Sequence, residues 1–216
     1  MTNQVLDYFI EQLTSNGNRL DPLGPELLLL LTPLLRKEHS TAARQVILKD
    51  SIPRKLFIKL SGFAMGCREP LRTLFPIAPY LWLGPALLAD WRALLKKKPA
   101  RFDVFVEQHT EVYSLTYADI KLVMDRLPEI KAAFRTLMKA QNIYLNSYDR
   151  NLYQYDAKER YSHMVEDFGD LLDSIPKKHQ AAHVGIAPES LSRILRELNR
   201  GNTPPPRHPL SLLFAF

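Results

Sequence analysis

Cysteine is almost missing from this chain: there is one, Cys67, in 216 residues. A single thiol excludes an intrachain disulfide scaffold, a thiolate zinc site and a cysteine-ligated iron–sulfur cluster, and reads as a small core residue. Long apolar runs are also missing. The most apolar stretch, LLLLLTPLL at 27–35, is interrupted by Pro33 and is shorter than the roughly 20 residues that a membrane-spanning helix needs. The first residues, MTNQVLDYFIEQL, carry acids and no basic leader ahead of an apolar stretch, so no secretory signal is expected and the cytoplasm is the expected compartment. No G-x-S-x-G, glycine-rich phosphate loop or recognisable carboxylate pair occurs, so nothing points to an enzyme. Internal repeats, low-complexity linkers and lipidation motifs are missing as well.

What is present is an apolar content of 46%, enough to build a buried core, in a chain long enough for two modest domains. The net charge of +6 is unevenly spread. Residues 36–101 carry fourteen Lys/Arg against four Asp/Glu, whereas 116–200 carry thirteen against twelve. Net charge alone therefore does not make this a nucleic-acid protein.

The first 37 residues read as two helices, one near 3–13 and, after the SNGN break, one beginning at GPE with Pro25 in its first turn. From Arg44 the texture changes to short β-branched and aromatic runs, RQVIL, KLFIKL, GFAMG, FDVFV and EVYSL, which predict a small β-rich domain. GPALLADWRALLKKK interrupts these strands with Leu87, Leu88, Trp91 and Leu94 or Leu95 at helical spacing, and predicts one short helix. Thr116 caps a helix to about Arg126, and Pro128 starts a long one reaching about Leu152. On the long helix Ile130, Phe134, Leu137, Gln141, Tyr144, Tyr148 and Leu152 follow nearly a heptad seam. Such a stripe packs either on a second copy, as a dimer seam, or on the chain's own domain. Asp156 and Glu159 have the D-x-x-E spacing of a reciprocal cap, so a further helix begins there and runs to about Leu172. The tail GNTPPPRHPLSLLFAF breaks at its prolines and is expected to dock on the body of the protein.

Residues 175–198, IPKKHQAAHVGIAPESLSRILREL, hold the densest pattern. Ala181, Ala182 and Val184 give one short helix a small apolar face. Gly185 suits the left-handed turn that ends it, and Pro188 restarts a helix buried through Leu191, Ile194, Leu195 and Leu198. Glu189, Ser190, Ser192, Arg193 and Arg196 then fall toward the exposed side. Arginine there can donate to guanine O6 and N7, glutamate can accept from cytosine N4, and serine can reach phosphate. The same pattern is common as a solvated helix face. His179 and His183 stand four apart, but no glutamate follows His179 and no third ligand is near, so no metal site is expected; one packed and one phosphate-facing histidine is. The tyrosines at 144, 148, 153, 155 and 161 read as packing for the seam and hinge rather than as stacking platforms.

From about Leu115 to Arg200 the sequence resembles the C-terminal half of the Crp/Fnr transcription regulators. LPEIKAAFRTLM is similar to the dimerisation helix, AKERYSHMVE to the connecting helix, and residues 175–198 to the helix-turn-helix, with Ala181, Gly185, Glu189, Ser190, Leu191, Ser192, Arg193 and Leu198 in register without a gap. The resemblance implies that Lys177 and Ser190 touch the DNA backbone and that Glu189 and Arg193 read base edges. Pro188 departs from the pattern, occupying the place of a guanine-reading arginine in the best-known members. EDFGDLLD leaves little room for the β-hairpin wing of longer members.

The N-terminal half resembles the family's effector-binding β-roll more weakly. Cyclic-nucleotide binders use a Gly-Glu pair and a later arginine that grips the phosphate. Gly84 is present, but Pro85 replaces the glutamate, Ala100 takes the arginine's place and Arg101 comes one residue late, which in a strand turns the side chain to the other face. Cyclic AMP is therefore not expected to bind in the family manner. Lys96, Lys97, Lys98 and Arg101 read as a solvated cluster in preference to an anion pocket.

The expected fold is α+β: a cyclic-nucleotide-binding-like β-roll (1–115), a dimerisation region (116–153) and a helix-turn-helix domain with a proline-rich tail (154–216). The expected function is a homodimeric, sequence-specific transcription regulator. Its candidate DNA-binding residues are Lys177, Lys178, Glu189, Ser190, Ser192, Arg193 and Arg196. The dimer seam is Ile130, Phe134, Leu137, Gln141, Tyr144 and Tyr148, and Gly84 and Arg101 are the candidate effector contacts. Partners are double-stranded DNA, a second copy, a small-molecule effector other than a cyclic nucleotide, and RNA polymerase; no cofactor, metal or membrane partner is expected. The alternative is a β-roll effector-binding or adaptor protein that has lost DNA binding, which a scattered arrangement of Lys177, Lys178, Arg193, Arg196 and Arg200 would favour.

Overall fold

Short β-branched runs punctuated by proline and glycine become strands here, and long stretches with 3.6-residue periodicity become helices. The computed structural model describes residues 2–14, 24–38, 41–69 and 75–200, so the SNGN break, the tail from 201 and the side chain of Arg200 lie outside the described residues. Helices α1 (Thr2–Thr14) and α2 (Gly24–Leu31) precede strands β1 (Arg36–Glu38), β2 (Arg44–Ile47), β3 (Lys55–Lys59), β4 (Ala64–Arg68), β5 (Ile77–Trp82) and β6 (Ala86–Leu88). Helix α3 (Trp91–Lys96) follows, then β7 (Asp103–Val106), β8 (Val112–Thr116), α4 (Tyr117–Arg126), α5 (Pro128–Gln154), α6 (Ala157–Phe168), a 3-10 segment (Gly169–Ser174), α7 (Lys177–Val184) and α8 (Pro188–Arg200). The fold is α+β. Its strands form two antiparallel, jelly-roll-like sheets in the order β1-β8-β3-β6 and β2-β7-β4-β5, followed by the long helix and the C-terminal helices.

The helix starts follow the local chemistry. Thr116 and Asp119 form a reciprocal capping box at α4, and Asp156 and Glu159 form another at α6, where Asp156 accepts from the amides of Lys158 and Glu159. One expectation fails at α3. Leu87 and Leu88 belong to β6, which pairs with β3 through Phe57↔Leu88 and Ile58↔Leu87, and α3 begins only at Trp91, capped by Asp90. Pairing with a neighbouring strand overrides the helical spacing of these leucines, since both patterns are apolar and short. Strand β5 contains Pro79, and no strand was expected there. The helix expected to reach Leu172 ends at Phe168, where Gly169 takes a φ of 49°.

The described residues form two compact units, one within 1–64 and 82–143 and the other within 65–81 and 144–200. The core of the first joins Val5, Leu6, Phe9 and Leu13 of α1 to Leu56 and Ile58 of β3 and to Ile130, Phe134 and Leu137 of α5. Phe134 stacks at 5.5 Å from Trp91 and 6.2 Å from Phe9. In the second unit Tyr144 of α5 packs on Tyr80 at 4.9 Å, and α6, α7 and α8 complete the unit.

These contacts engage the residues of the expected dimer seam within the chain. Ile130, Phe134 and Leu137 are core residues of the first unit. Gln141 donates to the Ala89 carbonyl at 2.6 Å and accepts from the Trp91 amide at 2.8 Å. Tyr144 donates to the Pro79 carbonyl and Tyr148 to that of His183 at 2.7 Å. The stripe serves the chain's own packing, because the periodicity of a self-packed helix equals that of a coiled coil. The opposite face of α5 is the exposed one, and Ile143 and Tyr153, 58% and 65% exposed, stand on it.

Candidate nucleic-acid interface

Helix α7 ends as the sequence requires. Gly185 adopts φ 74°, ψ 39°, its amide donates to Ala182, and the Ile186 amide donates to Ala181. Only glycine takes this left-handed conformation at little cost, and the paired bonds satisfy carbonyls that the helix end would otherwise leave open. Ala181, Val184, Leu191 and Ile194 are buried, while Ala182, Leu195 and Leu198 are half-buried. The turn before α7 is closed by Gln180, fully buried, whose amide donates to the carbonyls of Leu172 at 3.0 Å and Ile175 at 2.8 Å. Gln180 did not stand out in the sequence, since a polar residue between histidine and alanine gives no periodic signal.

Burial of one face fixes the other. Glu189, Ser192, Arg193, Arg196 and Glu197 are exposed along α8, and Ser190 is half-buried at its edge. Ser192 donates back to the Pro188 carbonyl at 3.1 Å, and Arg196 Nε to that of Ser192 at 3.2 Å. Glu189 and Arg193, one turn apart, make no hydrogen bond or ion pair with any described residue. Lys177 and Lys178 are exposed at the start of α7, where Lys177 Nζ lies 3.4 Å from the Gln180 amide oxygen. The 3-10 segment Gly169–Ser174 joins α6 to α7 with no strand between them.

Neither histidine of α7 faces outward. His179 and His183 are both buried, which corrects the expectation of a phosphate-facing member. His183 Nδ1 bonds the Ala78 carbonyl at 2.8 Å, and the ring packs on Tyr148 and edge-on to Phe168. A carbonyl only accepts, so Nδ1 carries the proton. Burial pushes the imidazole down to about 4, against the smaller upward pull of the Ala78 carbonyl, and the ring is neutral at pH 7. Among the described residues no group of three His, Cys, Asp or Glu could hold a metal ion.

Of the candidate effector contacts, Gly84 lies in the turn after β5 with open space at its Cα. Its carbonyl accepts from the buried ammonium of Lys59, which also reaches the carbonyls of Gly62 at 2.9 Å and Leu83 at 3.3 Å. Burial pushes this lysine down to about 8. Arg101 is no member of a solvated cluster. It forks onto the fully buried Asp90, Nε to Oδ2 at 2.9 Å and Nη2 to Oδ1 at 2.8 Å, and reaches Asn142 at 2.7 Å. The spacing of Asp90 and Arg101 gave no hint of this pair, which exists only because α3 and the approach to β7 converge.

A β-roll of two antiparallel sheets, a long helix and a helix–turn–helix together define the architecture of the cyclic-nucleotide-binding-like transcription regulators. Solved structures of that architecture match this chain across most of its length. FixK2 from Bradyrhizobium japonicum matches at TM-score 0.64 and 11% identity over 77% of this chain and 85% of its own. A Crp/Fnr regulator from Eubacterium rectale matches at 0.63 and 15% over 83% and 87%. CLP, the c-di-GMP responsive global regulator of Xanthomonas campestris, matches at 0.60 and 12% over 77% and 86%. No protein-family model matches the sequence, and no curated protein matches it. The fold is therefore that of the Crp/Fnr transcription regulators. No described helix is long and apolar enough to cross a membrane.

Proposed function

We propose that the chain is a homodimeric, sequence-specific transcription regulator of cytoplasmic DNA in which α8 enters the major groove. One observation carries this reading: Glu189 and Arg193 stand exposed one turn apart, with no partner among the described residues, on a helix whose other face is fixed by Leu191 and Ile194. An arginine and a carboxylate so held are free to meet guanine and cytosine edges. In this reading Lys177, Lys178, Ser190, Ser192 and Arg196 serve the phosphates on either side. Two-fold symmetry would set the half-sites about one helical turn, roughly 34 Å, apart. In this reading the β-roll does not hold cyclic AMP in the family manner, because Arg101, one residue past the family's arginine place, is engaged by Asp90, and RNA polymerase is the proposed protein partner.

Duplexes selected from a random pool, then titrated with variants, test the reading. Arg193→Ala is expected to cost about 1–3 kcal/mol on the selected site and relax base preference, whereas Lys177→Ala weakens specific and random duplexes alike. If both variants bind both duplexes as the native protein does, DNA reading by α8 is wrong. The adaptor reading draws on Glu189 and Glu197 sharing the exposed face with the arginines, and it gains if no duplex is enriched.

A further inference from the structure

The second unit contains a cavity of about 70 Å³, open on one side, between α5 and α6 with α7 behind it. Positions 144, 147, 148 and 151 of α5 and 160, 163, 164 and 167 of α6 line it, each set following the i, i+3, i+4, i+7 pattern of one helix face. Tyr144 and Tyr148 supply its aromatic wall, their hydroxyls already bonded to carbonyls elsewhere.

The polar groups that remain are mostly acceptors. Asp167 is half-buried and has no hydrogen-bond donor and no cation among the described residues. The side chains of Ser147 and Asn151 likewise have no partner among them. His183 is neutral with its proton on Nδ1 toward Ala78, which leaves Nε2 as an acceptor. The one strong cation, Arg160, is turned onto the carbonyls of Val184 at 2.7 Å, Leu152 at 3.5 Å and Tyr155. A half-buried carboxyl without a partner, among acceptors and aromatic rings, fits a cationic donor, as unpaired buried charges are otherwise costly.

We propose that this cavity binds a primary ammonium group, the head of a small alkylammonium ion, with Asp167 as its counter-ion. The cavity has room for the ammonium and its first carbons, and the rest of the chain leaves through the open side. An anion is disfavoured beside Asp167 and Glu166, with Arg160 already bonded.

Protonation follows from the same surroundings. Burial first, and then the neighbouring Glu166, pushes Asp167 up to about 7. Facing it are Tyr144 and Tyr148 from α5, Arg160 and His163 from α6, and His183 from α7. The tyrosines are held above their usual range by burial and His183 below its own, so at neutral pH the proton that an arriving ammonium displaces is the one on Asp167. Binding is accordingly strong above about pH 7 and weak below it.

Calorimetric titration of the full chain with n-butylammonium chloride, against equal sodium chloride and sodium butyrate, tests the site without DNA and so independently of α8. The expected result is saturable butylammonium binding, about tenfold weaker near pH 6 than near pH 8. Asp167→Asn is expected to lose at least about tenfold in affinity while its thermal midpoint holds or rises, since no ion pair is removed. Ser147→Leu, which fills the cavity and leaves the carboxyl in place, loses binding too, and decides the matter alone should Asp167→Asn not fold. Heat equal to that of sodium chloride, binding that ignores pH, binding by Asp167→Asn equal to native, or butyrate in place of butylammonium would each overturn the proposal.

Discussion

At the scale of single residues, His183 and Glu38 each contribute stability that acid removes, while Asp167, pushed up to about 7, contributes in the opposite sense as pH falls from about 7 toward 4. His183 is pushed down to about 4 from an ordinary 6.5, so the folded chain refuses a proton that the unfolded chain accepts. The contribution of this group is complete above about pH 6.5 and is lost as pH drops toward 4, up to about 3 kcal/mol. A His183→Gln variant, which keeps a donor for Ala78, is expected to gain stability relative to the native chain as pH drops from about 6.5 to 4; a difference between the two that does not change with pH would remove the assignment. Glu38 acts lower. Burial alone would raise its carboxyl, but Lys55 at 2.7 Å, Ser114 at 2.6 Å and Arg44 at 3.3 Å outweigh burial and bring it to about 2. Its contribution is present above 4.5 and is lost as pH falls toward 2. Neither partner set was legible in the sequence, since Glu38, Lys55 and Ser114 come from three strands that pair only in the folded sheet.

Among elements, the helix-turn-helix was the most legible. Gly185 announced the end of α7, and the apolar spacing 191, 194, 195, 198 announced the inner face of α8. Substituting Gly185 by alanine would put a Cβ 2.9 Å from a Leu152 methyl at a φ of 74°. The expected cost is about 1 kcal/mol or slightly more, measured by chemical denaturation, because the leucine tip can yield while the left-handed backbone cannot. The caps at Thr116 and Asp156 were equally plain, because a D-x-x-E or T-x-x-D box needs only its own four residues. Strands β5 and β6 were not plain: Pro79 and Pro85 punctuate them, and Leu87 and Leu88 join a strand only because β3 lies alongside.

For the whole molecule the central question is how two copies would meet. Since Ile130, Phe134, Leu137, Gln141, Tyr144 and Tyr148 are engaged within the chain, a dimer built on α5 has to use the outward face, with Ile143 and Tyr153. Ile143→Glu is expected to shift sedimentation from dimer toward monomer and to weaken binding to a two-half-site duplex far more than to a single half-site. An unchanged sedimentation profile would place the contact elsewhere. By itself the sequence determined the α+β class, the helix boundaries that rest on local caps, and the exposure of Glu189 and Arg193, because these depend on interactions within a few residues or on one periodic pattern. Tertiary structure alone decided which face of α5 is buried, that Arg101 belongs to Asp90, and that Asp167 borders a cavity with no partner among the described residues. Each depends on groups far apart in the chain, and periodicity records that a face is apolar without recording what covers it.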